Sequence, residues 1–362
     1  MMETILARFM IPGTFVKAEK FGPGLINDTY LSVFAEEGRI RKYILQRINA
    51  SVFRHPAQVM ANVETVTLHI VNRLRAEGVK DPFAVTPALI HARDGGAWVV
   101  DPSGGYWRVF HFIESATVFD RIIDPDHAYE TGRGLGRFQA LVADLPPERL
   151  HDTLPGFHHT PKYLTEFDEV VKMDQRGRVS GVGAELRVVE RMRPLAPLLT
   201  DLLDSGALPL RVVHNDPKVN NILIHRITRK AVCMIDLDTV KPGLVHFDFG
   251  DCARSAANPL GEDAEDPGKV SFDLSLFEAL TKGYLGEASG FLTDRELAML
   301  PVAVEVITFE LGLRFLTDYL RGDTYFKIRY PSHNLHRARV QLKLLESLES
   351  VKDRMNEFIL RC

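Results

Sequence analysis

The sequence predicts an α+β protein of two lobes: a small antiparallel β-sheet lobe over residues 1–115 and a larger, mainly helical lobe over residues 116–362. Three observations carry this. Three strand-like runs joined by short turns precede Asn49. Helical apolar spacing dominates after Glu114. A chain of 362 residues also exceeds what one ordinary core accommodates.

The elements follow in order. Ile5, Leu6 and Phe9 lie at helical spacing and predict a short N-terminal helix. Residues 14–19, 29–34 and 42–48 read as strands, with Gly22-Pro23-Gly24 and Glu37-Gly38 supplying turns. Val59, Val63, Val66, Ile70 and Leu74 recur at three- and four-residue steps, so Pro56–Ala76 is an amphipathic helix. Two more strands are predicted over 96–100 and 106–113. In the second lobe, helices are predicted over 126–143, 161–170, 184–204, 271–284, 293–320 and 335–359. Among them residues 209–240 form a β-rich island with apolar runs at 210–213, 222–224 and 232–235. Residues 258–268 are polar and bounded by Pro and Gly, which predicts a surface loop.

The net charge of −4 gives no basic footprint for nucleic acid and no acidic tail. Cys233, Cys252 and Cys362 are too few, and wrongly spaced, for a disulfide framework or a cysteine-based zinc site. No apolar run is long enough to span a membrane, and Glu3 and Arg8 interrupt the N-terminus where a signal peptide would need an unbroken apolar core. The expectation is a soluble, cytoplasmic protein without membrane or nucleic-acid partners.

Chemistry concentrates at residues 213–224, V-H-N-D-P-K-V-N-N-I-L-I, followed by Ile235-Asp236-Leu237-Asp238. The first part has the form H-x-D-x-K-x-x-N. Phosphoryl transfer needs a carboxylate to take or orient the acceptor proton, and hard oxygen ligands to hold Mg²⁺ against the phosphates. A tight loop can present Asp216 to the acceptor and Asn221 to the metal, while Asp236, at the end of an apolar strand, can reach the same metal. The Asp216-to-Asn221 step of five residues matches the kinase pattern. A literal D-F-G occurs later, at Asp248-Phe249-Gly250, but it follows a loop containing Pro242-Gly243 rather than an apolar strand. The metal is therefore assigned to Asp236. Asp248 either holds the backbone of the 214–221 loop or caps the helix after it.

These residues resemble the aminoglycoside phosphotransferase and choline kinase superfamily, which has a protein-kinase-like fold. Residues 27–30 (N-D-T-Y), 43–49 (Y-I-L-Q-R-I-N), 235–243 (I-D-L-D-T-V-K-P-G) and 309–319 (F-E-L-G-L-R-F-L-T-D-Y) further resemble the N-acetylhexosamine 1-kinases. The resemblance implies Asp216 as catalytic base and Asn221 and Asp236 as Mg²⁺ ligands. It puts residues 22–30, with Gly24, Asn27 and Thr29, over the phosphates of ATP. The third strand should supply a cation at Gln46 or Arg47; Arg47 is chosen because Gln46 cannot neutralise charge, with Glu64 as its candidate partner. Backbone near Phe112 and Glu114 would meet adenine.

For the acceptor, the resemblance implies contacts from Arg314 and Tyr325. Residues 314–343 carry seven basic side chains against two acidic ones, which suits a neutral sugar with a free anomeric hydroxyl better than a polycation. Packing over apolar surface is the other reading of Arg314, and a place in the core that of Tyr325. The expected function is thus an ATP- and Mg²⁺-dependent sugar 1-kinase. The alternative is the same fold acting on choline, ethanolamine, homoserine, another sugar or an aminoglycoside. A non-catalytic binding module is a third reading, against which intact Asp216, Asn221 and Asp236 argue.

Overall fold

The computed structural model describes residues 2–22 and 26–362. Its first lobe begins with α1 (Met2–Leu6), then β1 (Thr14–Lys20), β2 (Asp28–Glu36) and β3 (Arg39–Arg47), the helix α2 (Pro56–Ala76), and β4 (Leu89–Ile90), β5 (Val99–Val100) and β6 (Tyr106–His111). The strands form one antiparallel sheet in the order β1-β2-β3-β6-β4, with β5 also on β6. Period-two alternation separates its faces. Tyr43, Leu45, Trp107 and Val109 pack with Leu6, Phe9 and Phe34 on one face. Gln46 and Arg108, a directly opposed pair in the register, take the other face, toward α2 and the second lobe. The two-residue strand β4 had no sequence signal because it is too short for an alternation to show.

The second lobe starts at β7 (Ala116–Thr117) and α3 (Pro125–Val142), then α4 (Thr160–Met173), α5 (Gly183–Met192) and α6 (Leu198–Asp204). Four strands follow, β8 (Arg211–Val213), β9 (Ile222–His225), β10 (Ala231–Met234) and β11 (Lys241–Gly243), and then α7 (Val245–Ala256), α8 (Leu274–Ala288), α9 (Asp294–Arg321) and α10 (His333–Arg361). The single helix expected over 184–204 is two. Pro194 and Pro197 lie between them, and a proline lacks the N–H that would continue the ladder. Asp248 does not cap a helix: α7 starts earlier, with Leu244 at its N-cap, so Asp248 lies inside its first turn.

One apolar core runs from α2 through α3, α7, α8, α9 and α10. The α3–α8 contact is close enough to require glycine. A Cβ on Gly132 would stand 1.9 Å from the Leu280 carbonyl oxygen, and one on Gly283 1.9 Å from that of Tyr129. At the start of α9, Thr293 and Glu296 form a reciprocal capping box. The same Glu296 accepts two bonds from Arg211, so the cap also anchors β8, the strand that leads into the 214–221 loop. Among the described residues no helix is long and apolar enough to cross a membrane.

Candidate active site

Strand β8 delivers the chain to His214, buried within the second lobe against Phe138 of α3. The loop that follows is suspended from α7. Asp248 accepts the backbone N–H of His214 at 2.8 Å on one oxygen and that of Asn215 at 2.7 Å on the other. Gln139 of α3 donates to Asp248 at 3.0 Å, and Tyr284 of α8 donates to Gln139 at 2.7 Å. Both Asp248 oxygens are therefore engaged with the loop and its supports. Burial pushes the Asp248 carboxyl above the ordinary carboxylate range, and the N–H donors pull it part of the way back.

These bonds hold Asn215 at φ +64, a conformation few non-glycine residues adopt, and the loop reverses there. Thr239 donates its hydroxyl to the His214 carbonyl at 2.6 Å, and Asn215 donates its side-chain amide to the Thr239 carbonyl at 2.9 Å. The His214 ring meets the Ile235 carbonyl at 2.9 Å, and the Ile235 N–H donates to the Asn221 carbonyl at 2.8 Å. The two motif segments are thus stitched together. Asp236, also at φ +64, turns at the end of β10 beside the loop.

Asp216 is the half-exposed centre of this arrangement. Its Oδ2 accepts from Lys218 Nζ at 2.8 Å and from Asn221 Nδ2 at 3.1 Å. Burial alone would lower the Lys218 pKa, but the Asp216 charge, with Asp251 and Asp236 behind it, more than offsets this and raises it. With its Nδ2 committed to Asp216, Asn221 keeps its amide oxygen as a donor toward a metal. No ion pair reaches Asp236 directly among the described residues. Burial first, then the neighbouring Asp238 and Asp216 charges, push its carboxyl up to about 7, against a smaller pull from Arg108 and Lys218. The donor set is hard oxygen with surplus negative charge, which fits a divalent cation that keeps other ligands from phosphate and water. Among the described residues no group of three or more His, Cys, Asp or Glu side chains is placed to hold a metal ion.

The small lobe closes over this cluster with residues that sequence reasoning only partly anticipated. Asn27 is buried; its amide donates to Asp238 Oδ2 at 2.5 Å and its oxygen accepts the Asn49 N–H. Thr29 accepts from Gln46 Nε2 at 3.1 Å. Gln46 Oε1 in turn takes two donors from Arg108, at 3.0 and 2.8 Å, and Arg108 pairs with Asp238. The structure does not bring Arg47 to this cluster. One residue along the strand reverses the side-chain direction, and Arg47 lies over the Trp107 ring at 5.8 Å on the opposite face. Glu64 pairs with His91 at 3.0 Å instead of Arg47. The cation that the described residues place on this face beside Asp238 is Arg108. Its signal was an arginine within the otherwise apolar run Trp107, Val109, Phe110, a position that only a paired charge tolerates. Gly24 lies outside the described residues. Phe112 and Glu114 form the crossing between the lobes, with Glu114 paired to Lys42 at 3.6 Å and Phe21 edge-on to Phe112 at 5.8 Å.

Of the two residues expected to meet the acceptor, the Arg314 guanidinium lies among the rings of Phe157, Tyr163, Tyr325 and Phe326, at 5.0–5.9 Å. One turn earlier Glu310 is buried and accepts from Thr160 at 2.7 Å and from His158 Nδ1 at 2.9 Å. His158 is buried with its Nε2 unpaired. Tyr325 is exposed rather than in the core. The basic excess of residues 314–343 is largely consumed: Arg321 pairs with Glu166, Arg329 and Arg337 with Asp263, Arg339 with Glu185, and Lys343 with Glu346.

The sequence profile described as the phosphotransferase enzyme family matches residues 17–283. Among solved structures, a microcompartment-associated aminopropanol kinase superposes with a TM-score of 0.64 at 17% identity, covering 98% of both chains. An aminoglycoside phosphotransferase from Alicyclobacillus acidocaldarius gives 0.65 at 13%, covering 99% of this chain and 96% of the other. A spectinomycin phosphotransferase, solved with ADP and spectinomycin, gives 0.59 at 12%, covering 96% and 97%. At these identities the likeness is one of fold.

Proposed function

Because the chain belongs to the phosphotransferase enzyme family, we propose that it is a small-molecule kinase that moves the terminal phosphoryl group of ATP onto the anomeric hydroxyl of an N-acetylhexosamine. The observation that carries the phosphotransfer is the Asp216 cluster. One carboxylate oxygen is held by Lys218 and Asn221, which leaves the other to receive a proton from the acceptor. As the acceptor oxygen bonds to phosphorus, its proton passes to Asp216. The bond from phosphorus to the bridging oxygen breaks, and ADP leaves with that electron pair. Asn221 and Asp236 would hold Mg²⁺, which when bound draws charge off the phosphates. No covalent intermediate is required, so positioning and electrostatics supply the rate.

The sugar reading is supported by Arg314, whose planar fork suits sugar oxygens, and by the exposed Tyr325 ring beside it, a surface for a pyranose face. A second reading, an amine-bearing alcohol, is favoured by the ion pairing of residues 314–343. A segment neutralised by Glu166, Asp263, Glu185 and Glu346 no longer repels a cation. An ATP-consumption screen separates them, with N-acetylglucosamine, N-acetylgalactosamine, their 1-O-methyl glycosides, choline, aminopropanol and kanamycin as acceptors and phosphorus NMR on the products. The first reading expects turnover on the free hexosamines and none on the glycosides. Turnover on an amino alcohol with none on any free sugar replaces it by the second.

A further inference from the structure

We propose that Arg108 is the small-lobe residue that contacts the nucleotide polyphosphate, held for that task by Gln46, and that Asp238 neutralises it until nucleotide enters. This rests on the reading of the cleft as a nucleotide site. A polyphosphate reaching Asp236 passes the cleft face of the sheet. Lys42 also belongs to that face but sits at the crossing with Glu114 and over Phe112, away from Asp236. Arg108 is the cation at the Asp236 end, buried to 1% exposure, and its partner Asp238 is two residues beyond Asp236.

The strand pair explains why glutamine stands at position 46. Gln46 and Arg108 are directly opposed across β3 and β6. A lysine at 46 would set two cations face to face, which is unfavourable in a cross-strand pair. Glutamine instead offers Oε1 to Arg108 Nε and Nη2 together, and Thr29 fixes the amide's orientation by accepting from its Nε2. The charge has thus moved one strand over, and the position opposite has become its holder. Beyond the bonds to Gln46, Asp238 and the Met60 sulfur, the planar guanidinium keeps one Nη2 N–H, and the Nη1 N–H now on Asp238 is the one a phosphate would take over; both suit phosphate oxygens. Arg108 and Asp238 come from different lobes, so their bond spans the space a nucleotide must enter, and a phosphate competes with Asp238 for the same cation.

Isothermal titration calorimetry with ATP, ADP and adenosine, in EDTA and without acceptor, tests this. Arg108→Gln combined with Asp238→Asn removes both buried charges together, which avoids stranding one of them. In that variant ATP and ADP affinity should fall by about tenfold or more, the scale of a charge-assisted bond, while adenosine stays within about twofold. Arg47→Gln should leave all three ligands unchanged. Asp238→Asn alone should tighten ATP binding severalfold, because it removes a competing carboxylate, and it carries the test if the double variant does not fold. The proposal is overturned by unchanged ATP affinity in the folded double variant, by parallel loss of adenosine, or by weaker ATP binding in Asp238→Asn. Adenosine binding that survives any of these leaves the nucleotide site standing. A wild-type protein that binds neither ATP nor adenosine removes the site and the proposal together.

Discussion

Asp216, Asp236 and Asp248 share one residue type and differ in what each oxygen touches, so their amides should behave differently. Asp216→Asn keeps the shape but removes the carboxylate proposed as proton acceptor. Turnover should fall about 10²–10⁴-fold with ATP affinity retained, since a general base contributes on that scale; a variant within about threefold of wild type assigns the proton elsewhere. Asp236→Asn removes the charge of a proposed metal ligand and should move the Mg²⁺ requirement to much higher concentration in a magnesium titration. Asp248→Asn puts an N–H₂ against the N–H groups of His214 and Asn215, and should chiefly lower the melting temperature. If the metal phenotype appears at Asp248, the two segments exchange roles. The 214–221 and 235–238 segments were readable from sequence because spacing along one loop survives folding. Arg108 was missed and Arg47 preferred because strand parity, which decides the face, depends on a register set by partners far along the chain.

At the scale of elements, long periodic helices and turn-bounded strands were legible, down to the ends of α2 at Pro56 and Ala76. The two-residue strand β4 and the break between α5 and α6 were not, since the first has no period and the second depends on two prolines within an apolar pattern. Helix α7 was readable only as an alternative, starting after Asp248 rather than at Val245, because it is buried on nearly every side, which erases the polar face that marks an amphipathic helix. The α3–α8 contact gives an element-scale prediction. Gly132→Ala places a methyl against the Leu280 carbonyl, which is backbone and cannot swing away, so the helices must part. Chemical denaturation should show a loss of about 1–3 kcal/mol. Gly286→Ala, on the same α8 with open space around it, should be neutral or stabilising by up to about 1 kcal/mol. Equal effects at both sites would mean that helix propensity, not the close approach, governs.

For the whole molecule, acid should act through buried histidine. Burial holds His246 down to about 4, with its Nε2 on the Glu296 carbonyl and its Nδ1 unpaired. The unfolded chain protonates near pH 6.5 and the fold does not, so this residue's contribution is full above that value and is lost as pH falls toward 4. Over the window it amounts to about 3 kcal/mol. Asp236, raised to about 7, works in the opposite sense, so the measurement is a difference. Unfolding free energy should drop less between pH 7 and pH 4.5 in His246→Gln than in wild type, and parallel profiles would remove His246 as the cause. The charge of residues 314–343 shows what sequence leaves out at this scale: the count is right, but its partners Glu166, Glu185 and Asp263 lie up to 155 positions away. The suspension of the 214–221 loop from Asp248, Gln139 and Tyr284 has a historical consequence if that loop carries the proposed chemistry. The loop's shape is inherited from the interior of α3, α7 and α8, whereas Phe157 and Tyr163 stand just before and within α4, and Arg314 and Tyr325 within and just after α9. Mutation can therefore explore new acceptors generation by generation while the phosphoryl-transfer machinery stays under unbroken selection, and one ancestral chain can give rise to descendants with unrelated diets.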